Sequence, residues 1–224
     1  MSTNDNEQYQ HPGKSHMIKV HHLNNSRSHR ILWMLEELKQ PYEIVAYQRD
    51  PKTMLAPPEL KKIHPLGKSP VIEDGDLILA ESGAIIEYLS GKYGNGTFTP
   101  IVGTKDHIQY LHWMHFAEGT AMLQLILKLY LSRIPDAPAP LLERVDGQIG
   151  AHLAYMNAAL SMSPFFAGEK FSAADVQMSF SVLAASARGG LSEPFPHLMR
   201  WLDRVRARPA FIAAEVRGGS LKFA

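Results

Sequence analysis

The sequence predicts a two-part chain: a small α/β domain followed by an all-helical domain. Three observations carry this prediction. From Met17 to about residue 94, strand-like alternation and helix-like periodicity take turns. A glycine-rich stretch, Gly91–Gly103, then interrupts the pattern. Beyond it, every periodic segment steps by three or four residues, as helices packed against one another require. With 45% hydrophobic and 20% charged residues among 224, there is enough apolar material for a sizeable core.

Residues 1–16 are polar, lack the apolar centre of a secretory signal, and predict a disordered leader. Met17–Leu23 alternates and predicts a strand; Asn24-Asn25-Ser26 supplies turn and cap chemistry. Arg27–Lys39 places Ile31, Leu32, Leu35 and Leu38 on one helical face, and Pro41 marks its end. Tyr42–Ala46 reads as a second strand, and Ser69–Leu79 as a hairpin closed by Asp74-Gly75-Asp76. Glu81-Ser82 opens a helix carrying Ile85, Ile86 and Leu89. A strand, a crossover helix and a parallel strand form a right-handed unit that the hairpin extends. The α/β domain is therefore placed at 17–94, the linker at 95–103 and the helical domain at 104–224. Within the last, one long helix is expected over Thr104–Leu131, followed by helices carrying Leu142–Leu160, Val176–Ala187 and Leu198–Val205.

Composition excludes several function classes. The 23 basic and 22 acidic residues are evenly spread: net −1 over 1–16, zero over 17–95, +2 over 96–224. Nucleic acid or an anionic membrane surface would call for a concentrated basic field, so neither is expected as a partner. The longest uncharged stretch, Gly147–Gly168, holds too many polar residues for a membrane span. The chain has no cysteine, which excludes disulfides, thiolate metal sites and a nucleophilic thiol of its own. A soluble cytoplasmic protein is expected.

Four motifs stand out. Ser26, between strand and helix, suits an N-cap, and the same geometry lets its hydroxyl donate to an anion beside free N–H groups. His64-Pro65-Leu66-Gly67-Lys68-Ser69-Pro70-Val71 carries a proline into the start of a strand. A cis bond there would turn the backbone of Val71 outward for an extended peptide to pair with. Glu81-Ser82 joins a carboxylate, suited to an ammonium, to a helix start suited to a carboxylate. Phe171-Ser172-Ala173-Ala174-Asp175-Val176 reads as a capping box with a hydrophobic staple, and its role is structural. His112, His115 and Glu118 share a helical face, but nothing elsewhere supplies a second half, so no metal is assigned. Arg200, Arg204, Arg206 and Arg208 read as a solvated face.

In this order, the motifs resemble the cytosolic glutathione S-transferase family over 17–224. HPLGKSPV and ESGAIIEYL are specific as a pair, and VHHLNNSRSHRILWMLEEL is similar to the serine-type bacterial and fungal branch. The resemblance implies a thioredoxin-like first domain and glutathione as co-substrate, with no other cofactor. It also implies a homodimer and a detoxifying transferase that joins glutathione to small apolar electrophiles. It assigns Ser26 to the glutathione sulfur, with Asn25 and Ser28 as rivals. Ser69, Pro70 and Val71 fall to the cysteinyl segment, Glu81 and Ser82 to the γ-glutamyl end, and Lys68 to the glycyl carboxylate; the role of His64 stays open. The electrophile is expected between the Ser26 loop and Trp113–Met122. A thiol ionising near 8.5 would need a shift of roughly two units, about 2.7 kcal/mol, to be mostly thiolate at neutral pH. A glutathione-dependent peroxidase or disulfide reductase on the same fold, and a non-catalytic glutathione-binding module, are the alternatives.

Overall fold

The computed structural model describes residues 17–188, 191 and 195–222. The expected leader, 1–16, lies outside them. The α/β part comprises β1 (Ile18–Leu23), α1 (Ser28–Glu37), β2 (Tyr42–Tyr47), β3 (Val71–Asp74), β4 (Leu77–Ala80) and α2 (Ser82–Tyr93). A short 3₁₀ segment, Pro58–Lys62, interrupts the long β2–β3 connection. The strands lie in the order β2-β1-β3-β4. β1 runs parallel to β2 and antiparallel to β3, and β3 and β4 form the hairpin. Gly75 turns that hairpin at φ +61°, a left-handed conformation that glycine adopts without a Cβ penalty.

The strict alternation read into β1 breaks down at its C-terminal half. Val20, His21, His22 and Leu23 are all buried, because both faces of this central strand are covered. α1 packs on β1, and the last helix of the chain packs on α1 in turn.

The second part contains α3 (Lys105–Phe116), α4 (Met122–Leu131), α5 (Ala139–Met162), α6 (Ala173–Ala187), α7 (Pro196–Arg206) and α8 (Pro209–Gly218). The single helix expected over Thr104–Leu131 is divided by a π-helical turn, Ala117–Ala121. Such a turn inserts a residue into the helical repeat and re-aims the side chains beside it. α6 is the centre of the bundle, buried from Ala173 to Ala185. Its start is fixed as the sequence predicts: the backbone N–H of Ser172 donates to Asp175 at 2.9 Å in a capping box. Asp175 also accepts from Phe166 N–H at 3.1 Å and from Trp201 Nε1 at 2.9 Å, so one carboxylate ties α6 to α7. The architecture is a thioredoxin-like domain followed by an all-helical domain.

Candidate active site

The strand register assembles the site. Val71 is aligned with His21 on one side and Ala80 on the other. The end of β1, the Ser69-Pro70 entry to β3 and the Glu81-Ser82 exit from β4 therefore meet at one end of the sheet. The Ser69–Pro70 bond is cis. Ser69 Oγ donates to His21 O at 2.7 Å and accepts from Leu23 N–H at 3.2 Å, so this side chain staples β3 to β1. Glu81 holds φ +69°, an unusual backbone for a non-glycine residue. Ser82 is the first residue of α2, with Glu81 and not Ser82 at the cap, and its side chain is buried.

A cleft of about 260 Å³ opens between the two domains, with Ser26, Lys68 and Ser69 on one wall and Met122, Ile126 and Leu129 on the other. The structure thus brings three of the predicted residues together on it. Pro70, Val71, Glu81 and Ser82 are at the same end of the sheet but do not line it. Trp113 is also absent from its wall: this side chain is buried against Phe166 at 4.7 Å and Tyr155 at 5.3 Å. Of the Trp113–Met122 stretch only Met122 lines the cleft; Ile126, Leu129 and Tyr130 of α4 and Phe180 of α6 extend that wall.

Ser26 is connected inward. Its Oγ lies 2.7 Å from Ser28 Oγ and accepts from Ser28 N–H at 3.2 Å, which is cap chemistry displaced by one residue, since Arg27 holds the N-cap position. Ser28 Oγ lies 2.8 Å from His22 Nδ1, and His22 Nε2 lies 2.9 Å from the carbonyl of Gly218 in α8. That carbonyl can only accept, so Nε2 carries the ring proton. Burial lowers the pKa of His22, which keeps the ring neutral and Nδ1 an acceptor. The chain therefore runs from Ser26 O–H to Ser28 O–H to His22. Ser28 is wholly buried and does not line the cleft, whereas Ser26 and Asn25 do. Asn25 occupies the left-handed region at φ +50°, and its side-chain oxygen accepts from Lys222 N–H at 2.7 Å.

The charges around this chain come from distant parts of the sequence. Arg27 Nε donates to both oxygens of Glu118, at 2.9 and 2.8 Å. Arg30 also binds Glu118 and donates to Gln177 O at 2.7 Å. Burial pushes the Arg30 guanidinium down to about 10, with the Glu118 charge opposing. Burial would raise Glu118, but Arg30 and Arg27 together hold it below the usual carboxylate range. The π-helical turn carries Glu118 to this contact, which removes it from the supposed His112–His115 face. His112 Nε2 instead meets Tyr155 OH at 3.1 Å. Among the described residues no cluster of three or more His, Cys, Asp or Glu could hold a metal ion. Arg208 likewise leaves the expected solvated face: it forms a two-pronged pair with Glu37 at 2.6 and 2.8 Å and lies 3.7 Å above the Phe171 ring.

Arg49 is the other residue that sequence reasoning missed. Its guanidinium donates to the carbonyls of Asn24 at 3.2 Å, Met54 at 3.0 Å and Asn25 at 3.2 Å, bracing the turn that presents Ser26. Burial, then the charge of Arg27, lowers its pKa.

Fold and cleft define a two-domain protein with an open cleft where a thioredoxin-like sheet meets a helical wall. Residues 15–91 match the glutathione S-transferase N-terminal domain, and 120–209 the glutathione S-transferase C-terminal domain. Glutathione S-transferase 3 of Schizosaccharomyces pombe is 39% identical over 89% of this chain and 87% of its own. A glutathione S-transferase structure from Actinobacillus pleuropneumoniae superposes with a TM-score of 0.85 at 32% identity, covering 93% of this chain and 97% of that one. A glutathione transferase homologue from Sulfitobacter, with bound glutathione, shares the fold at a TM-score of 0.78 and 20% identity, over 91% and 99% of the two chains. The chain belongs to the glutathione S-transferase family.

Proposed function

We propose that this chain is a serine-type transferase that ionises the thiol of glutathione at Ser26 and directs it at an electrophile in the same cleft. The observation that carries the reading is Ser26, on the cleft wall at the start of α1, with its hydroxyl proton held only by a neutral neighbour. Rotating that hydroxyl exchanges a neutral hydrogen bond for one to a thiolate. Bonds to charged groups contribute roughly 1.5–3 kcal/mol against about 0.5–1.5 for neutral ones, so the exchange favours the thiolate by about 1 kcal/mol. That is somewhat under one pKa unit. The rest of the shift comes from the positive end of α1 and the cationic surroundings. The thiol proton leaves to solvent, and the sulfur's electron pair attacks the electrophile.

In this reading Lys68 takes the glycyl carboxylate, Glu81 and Ser82 the γ-glutamyl end, and the Ser69-Pro70-Val71 backbone the cysteinyl segment. Titrating the thiolate absorbance of bound glutathione tests it. Ser26→Ala is expected to raise the thiol pKa by about one unit, and an unchanged value removes Ser26 from the role. Asn25, on the same wall, supports a second reading as a glutathione-dependent peroxidase or disulfide reductase, separated by a peroxide assay. A homodimer goes with the proposal. The edge strand β4 leaves Leu77 and Ile78 exposed, as a surface awaiting a second copy would, and light scattering decides it. A cytoplasmic location is proposed on the same reading.

A further inference from the structure

The cleft is far more cationic than a purely apolar co-substrate requires. Arg49, Lys68, Arg133 and Lys222 all line it, and among the described residues none of the four forms an ion pair with a carboxylate. Among the described residues no Asp or Glu lines it either. Arg27 is already matched by Glu118. The four are divided in space: Arg49 and Lys68 belong to the α/β domain, while Arg133 follows the end of α4 and Lys222 follows α8.

Glutathione, as thiolate, brings two carboxylates and a sulfur anion against one ammonium, a net charge of −2. On the reading above, the ammonium goes to Glu81, outside the cleft, and the glycyl carboxylate to Lys68. Arg133 is beyond that tripeptide's own wall, on the side of Met122, Ile126 and Leu129. A helix C-terminus favours a nearby cation, which accounts for an arginine after α4. It does not account for four cations on one cleft that, among the described residues, have no carboxylate paired with them, since like charges around a partly enclosed space repel one another.

We infer that the co-substrate has an apolar body carrying an anionic group, a carboxylate or a sulfonate, and that Arg133 receives that group while the α4 side chains hold the body. The inference rests on the transferase reading for the identity of the first substrate, and it replaces the expected purely apolar electrophile with an amphipathic anion. For an aryl chloride of this class, the thiolate attacks the ring carbon bearing chlorine. A C–S bond forms, the C–Cl bond breaks, and chloride leaves with the electron pair.

Binding and turnover separate the two claims. Calorimetry on the full chain, with and without glutathione, compares 3,5-dinitrobenzoate with 3,5-dinitrobenzamide, unreactive arenes of one size. The carboxylate is expected to bind about tenfold more tightly, with the advantage shrinking as salt is raised. Arg133 is exposed, so its replacement leaves the core intact. Arg133→Gln is expected to remove most of the preference and Arg133→Lys to restore part of it. Equal affinities for the two arenes, no binding of either, or a preference untouched by Arg133→Gln overturns the inference. The 4-chloro derivatives of both arenes are then offered with glutathione. Turnover of neither, with the binding preference intact, overturns conjugation alone; equal kcat/KM for the two overturns the anionic preference alone.

Discussion

Two buried histidines seven residues apart show how differently one side chain is used. His22, on β1, has both ring nitrogens engaged, by Ser28 and by the Gly218 carbonyl. His29, on α1, has no hydrogen-bond partner for either nitrogen among the described residues. It packs edge-on against Phe211 of α8 at 5.1 Å. Burial above all, then repulsion from His22 once acid protonates that ring too, and from the Arg30 guanidinium, pushes His29 down to about 4. His22 holds a hydroxyl chain in one direction; His29 serves as an aromatic filler that stays unprotonated at neutral pH. The position of a histidine near a site is therefore a poor guide to its role, and its partners are a good one.

The largest expected effect concerns His29. Its folded pKa is below the unfolded value near 6.5, so the unfolded chain binds the extra proton. Stability is full above pH 6.5 and falls as pH drops toward 4, by about 3 kcal/mol in all. Unfolding free energies from urea titrations at pH 7.5 and 5 are expected to differ by about 2 kcal/mol more in wild type than in His29→Phe. Equal differences would mean that the ring finds a proton acceptor. Next comes the hold on His22. A Cβ on Gly218 would lie 2.2 Å from Leu32 Cδ1 and 3.3 Å from the His22 ring. Gly218→Ala is expected to cost about 2 kcal/mol, read by urea unfolding, as overpacking of a tight contact does. It should also slow glutathione turnover by loosening His22. The smallest effect separates the two serines. Ser28→Ala leaves His22 Nδ1 without its donor and is expected to cost about 1 kcal/mol. The thiol pKa of bound glutathione should move by less than about half a unit. A rise of a full unit would place Ser28, not Ser26, at the sulfur.

What could be read from the sequence was what is local. The strand–helix order, the Asp74-Gly75 turn and the Ser172–Asp175 box each depend on residues a few positions apart, and each formed. Ser26 was found from its place between a strand and a helix, but its connection to His22 was not. Burial of both faces of β1 hides His22 from an alternation rule. The Arg27–Glu118 and Arg30–Glu118 pairs span 91 and 88 residues, beyond any spacing argument. The π-helical turn was equally invisible, because one inserted residue barely disturbs a period of three and four. Without it, Glu118 reads as a partner for His112 and His115.

The Gly218 carbonyl is 196 residues downstream of the imidazole it orients. At roughly 5–20 residues per second on a ribosome, the first strand waits about 10–40 seconds for that acceptor to be made. During that interval the acceptor that fixes the His22 tautomer does not yet exist. The direction of the Ser26–Ser28–His22 hydrogen bonds is thus set only when α8 is in place.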